Sequence, residues 1–318
     1  MSEFDLIEAY FKPLSSQGGF LCLGIGDDAA IIALSELVSQ DRPLKQELVI
    51  ASDTLNSDVH FPADLNAADI AYRSIMANLS DMAAMGAKPL GYQLQLSLPE
   101  IDSSWLAEFT KGLSEATSIA LMGGDTTKGP LSIAITCLGL CEQGQALRRS
   151  QAQVGDRIFH SGKLGMGAQG LRDVLDHRKS EAQRWFCRPQ APLALGQSLV
   201  GYASSCIDVS DGLVADLGHI AKASHVTARI DIERLALNPE APDQRLALND
   251  ALVGGDDYQL CFTISDERYQ AWQKAFPCFT QSLTEIGMIT SVKNVAQVEL
   301  WYHGKPYHLE NKGYEHFA

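Results

Sequence analysis

The aspartates of this 318-residue chain fall at the ends of apolar runs, and that pattern constrains the fold. Asp27 and Asp28 follow Phe20 to Leu23 and a Gly-Ile-Gly turn. Asp53 follows Glu47 to Ala51. Asp125 follows Gly123-Gly124. Asp208 and Asp211 bracket the end of Cys206 to Val209, and Asp256 and Asp257 follow Gly254-Gly255 and precede Leu260 to Ile264. Carboxylates at such positions mark where chains leave a sheet, which is where sites are built. The adjoining glycines let backbone approach a ligand closely and offer N–H groups to anionic oxygens.

The segments between these points alternate in type. Met1 to Lys12 reads as an amphipathic helix, and Asn66 to Met85 as a long one. Tyr92, Leu94, Leu96 and Leu98 alternate with polar residues, as a half-buried strand requires. A helix is expected near Ser103 to Ala120. Leu131 to Leu140 is almost wholly apolar and reads as a central strand. Further strands are expected at Arg157 to His160, Cys206 to Val209, Thr227 to Ile232, Leu260 to Ile264 and Val298 to Tyr302. Helices are expected within Gly165 to His177 and Ser210 to Ser224. The class is α/β or α+β. The length suggests two domains at about 150 residues each. Charged and small residues replace apolar ones between Glu142 and Gly155, so the expected domains are 1–148 and 149–318.

Asp81 is different, because it lies inside the long helix. Ile75, Leu79 and Met82 form an apolar stripe there, and Ser74, Asn78 and Asp81 a polar strip beside it. Such a strip is either a solvent edge or one wall of a site. Mg²⁺ prefers oxygen ligands, usually one or two carboxylates with substrate phosphates and water. Several metals on a triphosphate need about as many carboxylates as this chain supplies. Without metal, crowded carboxylates raise one another's pKa.

Composition narrows the partners. A formal charge of −14 disfavours nucleic acid. No run approaches the roughly 18 apolar residues of a membrane span. The acidic N-terminus lacks the basic region of a signal peptide, so a cytoplasmic protein is expected. The seven cysteines include no C-x-x-C pair and sit mostly in apolar runs, as buried reduced thiols do.

Familiar signatures are missing or incomplete. Gly165-Met166-Gly167-Ala168-Gln169-Gly170 fits G-x-G-x-x-G, but the acidic strand end about 20 residues on is absent. A tight strand-to-helix turn is the better reading. There is no G-x-x-x-x-G-K-[ST] loop, no H-R-D or D-F-G, and no G-x-S-x-G elbow.

The ordered motifs resemble thiamine-monophosphate kinases, whose superfamily includes aminoimidazole ribonucleotide synthetase and selenophosphate synthetase. They are Gly24-Ile25-Gly26-Asp27-Asp28-Ala29, Ser52-Asp53-Thr54-Leu55 with Val59-His60-Phe61, Asn78-Leu79-Ser80-Asp81-Met82, Gly123-Gly124-Asp125-Thr126-Thr127, Asp208-Val209-Ser210-Asp211-Gly212, Gly254-Gly255-Asp256-Asp257-Tyr258 and Lys312-Gly313-Tyr314. The resemblance implies a two-domain ATP-binding fold and a homodimer that pairs N-terminal sheets. It implies phosphorylation of thiamine monophosphate by ATP, with Mg²⁺ held by Asp28, Ser52, Asp53, Asp81, Asp125, Asp208 and Asp211. Asp81, Asp125, Asp208 and Asp211 would be catalytic. Gly124, Asp125, Arg149 and Ser210 would contact ATP, and His60, Asp256 and Tyr314 the thiamine substrate. Two positions depart from the family, which usually has Glu at Asp256 and a hydroxyl residue at Ala51. Two other readings compete: another ATP-dependent superfamily enzyme, and a nucleotide or thiamine-phosphate sensor without turnover.

Overall fold

The computed structural model describes residues 21–34, 45–292 and 295–309. The expected opening helix and Tyr314 lie outside the described residues. The first half runs β1 (Leu21–Leu23), β2 (Ala30–Ala33), β3 (Gln46–Asn56), α1 (Ala67–Ala84), β4 (Lys88–Leu98), α2 (Ser103–Ala116), β5 (Ala120–Lys128) and β6 (Ser132–Glu142). Its six strands form one sheet in the order β1-β2-β3-β6-β4-β5. Only the β4–β5 pairing in it is parallel.

The second half runs β7 (Arg157–Ser161), α3 (Met166–Leu175), α4 (Glu181–Cys187), α5 (Leu193–Leu199), β8 (Ser205–Val209), α6 (Leu213–Ser224), β9 (Thr227–Asp231), α7 (Gln244–Val253), β10 (Gln259–Ile264), α8 (Asp266–Ala275), β11 (Leu283–Thr290), β12 (Gln297–Tyr302) and β13 (Lys305–Tyr307). Its seven strands form a second sheet, β13-β12-β9-β11-β7-β10-β8, mixed through the parallel β9–β12 pair. The expected mixed α/β class is what the chain adopts.

β6 is central in its sheet, as its apolar run requires. Ile133, Ile135 and Cys137 are fully buried, while Ala134, Thr136 and Leu138 on the other face are half-buried. A strand apolar on both faces wants cover on both, and in one chain only one face is fully covered. The sheet ends in β5, all nine residues of which are exposed. Its Leu121 and Met122 are 52% and 50% exposed.

Two expectations about strand ends are corrected. β3 does not stop at Ala51 but continues through Ser52 and Asp53 to Asn56. Gly123-Gly124-Asp125 is not a loop after a helix but the middle of β5. In both cases hydrogen bonds to a neighbouring strand carry polar residues that local preference would have placed in turns.

α1 begins at Asn66, whose side chain accepts from the Ala68 N–H at 2.8 Å. It is buried nearly all round because it lies between the sheets, touching β3 and β6 on one side and β8 and β10 on the other. The polar strip is therefore no solvent edge: Ser74 and Asn78 are fully buried, as is Ser80 beside Asp81, and Asp81 itself is partly buried. α5 packs closely on the end of α1, where a Cβ on Gly196 would meet the Ala83 carbonyl at 2.0 Å. Ala83 and Ala84 join Leu199, Phe262 and Trp272 in a core that ties the helix to the second sheet.

Candidate active site

A cleft of about 980 Å³ opens beside α1, between the two halves. Carboxylates reach it from three directions. Asp28 arrives from the turn after β1, Asp81 from the last turn of α1, and Asp208 from β8. One oxygen from each lies within 4.8 Å of the others. Asp53 joins from β3, hydrogen-bonded to Asp81. Thus the side chains of four segments, far apart in sequence, converge on one volume.

The electrostatics of this convergence are unfavourable by themselves. Burial, then the Asp53, Asp208 and Asp28 carboxylates, hold Asp81 well above the usual carboxylate range. Burial and then Asp28 do the same to Asp208. Asp27 is pushed up to about 7 by burial and Asp28. One cation partly offsets this. Arg149 lies in a short 3-10 turn (Arg149–Gln151); its Nη2 donates to Asp28 Oδ1 at 2.7 Å and its Nε to Asp28 Oδ2 at 3.2 Å. Its backbone N–H donates to Asp27 Oδ2 at 3.1 Å. A single guanidinium facing this many carboxylates leaves negative charge, and the donors are hard oxygens. That set fits Mg²⁺.

Neighbouring groups orient the cluster. Ser80 Oγ donates to Asp208 Oδ2 at 2.7 Å, and the Asp53 N–H donates to Asn78 Oδ1 at 3.2 Å. So the buried polar strip of α1 holds both Asp53 and Asp208. Asp216, one turn into α6, accepts from the N–H groups of Ser210 and Asp211, each at 3.1 Å. It shapes the loop carrying those residues into the cleft. Motif matching had missed it, although its place four residues after Gly212 is that of a first-turn acid.

The other expected residues divide. Ser52, Ser210, Asp211, His60 and Asp256 all line the cleft. Ser52 Oγ also donates to the Ile135 carbonyl at 3.2 Å, and His60 Nδ1 accepts from the Asn56 N–H at 3.0 Å. Gly124 and Asp125 do not line it; they sit on β5, at the far edge of the first sheet. Ala51 packs in the core and is not part of the cleft wall.

The G-x-G-x-x-G turn is occupied by the chain's own carboxylate. The N–H groups of Gly165 and Gly167 donate to Asp257 at 2.6 and 2.9 Å, where a dinucleotide phosphate would otherwise bind. A Cβ on Gly167 would lie 2.4 Å from the Gly255 carbonyl, so only glycine admits this approach. Asp257 thereby anchors the loop bearing Asp256. Burial pushes the thiols of Cys137 and Cys141 up to about 12, which disfavours a reactive thiolate at either.

The first sheet and its helices have the fold of the AIR synthase related proteins, whose N-terminal domain model matches residues 26–141. The resemblance extends further. The thiamine-monophosphate kinase of Escherichia coli (strain K12) is 40% identical over 332 residues, 99% of this chain and 98% of the relative. A crystal structure of thiamine-monophosphate kinase from Stenotrophomonas maltophilia K279a matches with TM-score 0.76 at 38% identity, covering 96% of this chain and 98% of that one. A structure described as AaThiL complexed with AMPPCP and TMP matches with TM-score 0.83 at 29% identity, covering 99% and 97%. The chain belongs to the thiamine-monophosphate kinase family.

Proposed function

We propose that this protein phosphorylates thiamine monophosphate to thiamine diphosphate, with ATP as the donor, by direct in-line transfer. One observation carries the reading: three carboxylates whose oxygens lie within 4.8 Å of one another, flanked by a clamped arginine, on the wall of a cleft large enough for two phosphorylated ligands. Family membership supplies the substrates to test.

Asp28, Ser52, Asp53, Asp81, Asp208 and Asp211 are the residues on this cleft that would hold Mg²⁺. When bound there, it would neutralise charge on the triphosphate and on the transferring group. The chain's own residues do the rest. Arg149 presents a fixed cation at the cleft wall, and an arriving phosphate would compete with Asp28 for it. Ser210, on the loop shaped by Asp216, offers its hydroxyl to the nucleotide. His60 and Asp256, both on the cleft wall, would contact the acceptor; the family resemblance adds Tyr314, which lies outside the described residues. The acceptor's phosphate has a second pKa near about 6, so it is already a nucleophile at neutral pH. No dedicated base is needed, and positioning is the main task.

The protein is read as a homodimer. The support is β5, an edge strand exposed over its whole length with Leu121 and Met122 outward, in a sheet whose β6 has one apolar face only half-covered. Gly124 and Asp125 lie on that same edge. They would serve a nucleotide site only across the interface, from the neighbouring subunit. Free thiols at all seven cysteines suit the cytoplasm.

The test is incubation with ATP, Mg²⁺ and thiamine monophosphate, following thiamine diphosphate by the fluorescence of its oxidised form. Folded protein that binds Mg·ATP yet makes no product would overturn the assignment.

A further inference from the structure

Arg73 is 1% exposed, yet it carries a full charge to the back of the cleft. It projects from α1, two turns before Asp81. Its guanidinium lies over the Phe186 ring, 3.9 Å from the centroid, and Nη1 donates to the Phe186 carbonyl at 2.6 Å. Nη2 crosses to the other half of the protein and donates to Asp256 Oδ1 at 3.0 Å. The Tyr258 hydroxyl donates to the same oxygen at 2.8 Å. Two donors from different directions therefore fix one oxygen of Asp256. Among the described residues none reaches Oδ2, and the side chain is 30% exposed at the cleft wall.

This arrangement is costly. Asp256 and Tyr258 both hold left-handed φ values, 65° and 50°. Left-handed backbone is strained for residues other than glycine. Arg73 Nε has no hydrogen-bond acceptor among the described residues, which adds a desolvation cost. A buried ion pair gives little net stability over apolar packing. Cost gathered around one carboxylate that faces a ligand cleft is the mark of a functional constraint.

We propose that Arg73 is a positioning residue for acceptor recognition. With Tyr258 it holds the Asp256 carboxylate so that Oδ2 points at the acceptor's organic portion, a cationic ring system bearing an amine. This rests on the acceptor assigned above. An aspartate has little reach to spare, so its placement comes from the groups that grip it. Arg73 itself touches neither reactant; it acts through Asp256.

Steady-state kinetics of the full-length protein test this, with ATP and thiamine monophosphate varied separately. Arg73→Met should raise the KM for thiamine monophosphate by about tenfold or more, with the KM for ATP within about twofold of wild type. Arg73→Lys, which keeps the charge, should recover part of the loss. Tyr258→Phe removes one hydroxyl and should raise the same KM by about threefold, with its melting temperature showing that the fold is intact. If Arg73→Met does not fold, the lysine and phenylalanine variants decide. An unchanged acceptor KM in the folded variants, or equal increases for both substrates, would overturn the positioning role while leaving the activity standing. Wild type that makes no thiamine diphosphate would instead overturn the acceptor assignment, and this role with it.

Discussion

At the residue scale, the convergent carboxylates dominate. Asp81 is held above its usual range by burial and three neighbours, so its charge opposes folding of the metal-free protein. Asp81→Asn should therefore abolish thiamine diphosphate formation, by about 100-fold or more, while raising the melting temperature in chelator by several degrees. Thermal scans and the fluorescence assay measure the two effects on one preparation. The pH dependence follows with a definite sign. Asp27, Asp81 and Asp208 have folded pKa values above their unfolded ones. The folded state then binds more protons than the unfolded state between those values, so stability present at low pH is lost as pH rises through them. In chelator the melting temperature should fall between about pH 5 and pH 8, and saturating Mg²⁺ should flatten that slope. The sequence showed Asp27 and Asp208 because each stands beside glycine or near the end of an apolar run, and Asp81 because it continues a polar strip along α1. It did not show Asp216, Arg73 or Tyr258. Their roles depend on which backbone groups and side chains the fold brings opposite them, and no spacing encodes that.

At the element scale, long periodic segments were legible and register was not. α1, β6 and β10 lie where their apolar patterns put them. α4, α5, α7 and α8 went unread, because short helices owe their stability to packing rather than to periodicity, and β2, β11 and β13 went unread because a strand's stability depends on its neighbours in the sheet. β3 extends past Ala51, and β5 forms where a helix end and a turn were expected, since pairing with β6 and β4 satisfies backbone groups that local sequence would leave in turns. The turn before α3 is the element most open to test. Gly167→Ala would drive a Cβ against Gly255 and Asp256. It should cost about 1–3 kcal/mol by denaturant titration, and it should raise the KM for thiamine monophosphate because it displaces the loop carrying Asp256. Asp257→Asn sets an amide NH₂ against the Gly165 and Gly167 N–H groups. It should destabilise by a similar amount, about 1–3 kcal/mol.

At the scale of the whole molecule, assembly is the open variable. If two copies pair through β5 as proposed, Leu121→Asp should leave a monomer in sedimentation velocity runs, because it places charge on an apolar edge that the second copy would cover. If Gly124 and Asp125 act across that interface, the monomer should fold yet turn over at least about tenfold more slowly. An active monomer would restrict both residues to a structural role. The sequence indicated two halves from the composition change after Glu142, but it could not show that α1, encoded in the first, is shared between both. That sharing limits modularity. A fragment ending at residue 148 would carry a helix with one flank stripped of β8, β10 and α5. The complementary fragment would lose the wall on which Leu199 and Phe262 pack. Neither piece is portable. Exchanges between relatives that cut the chain at its obvious seam should give insoluble chimaeras, unless α1 travels with the sheet it serves at a distance.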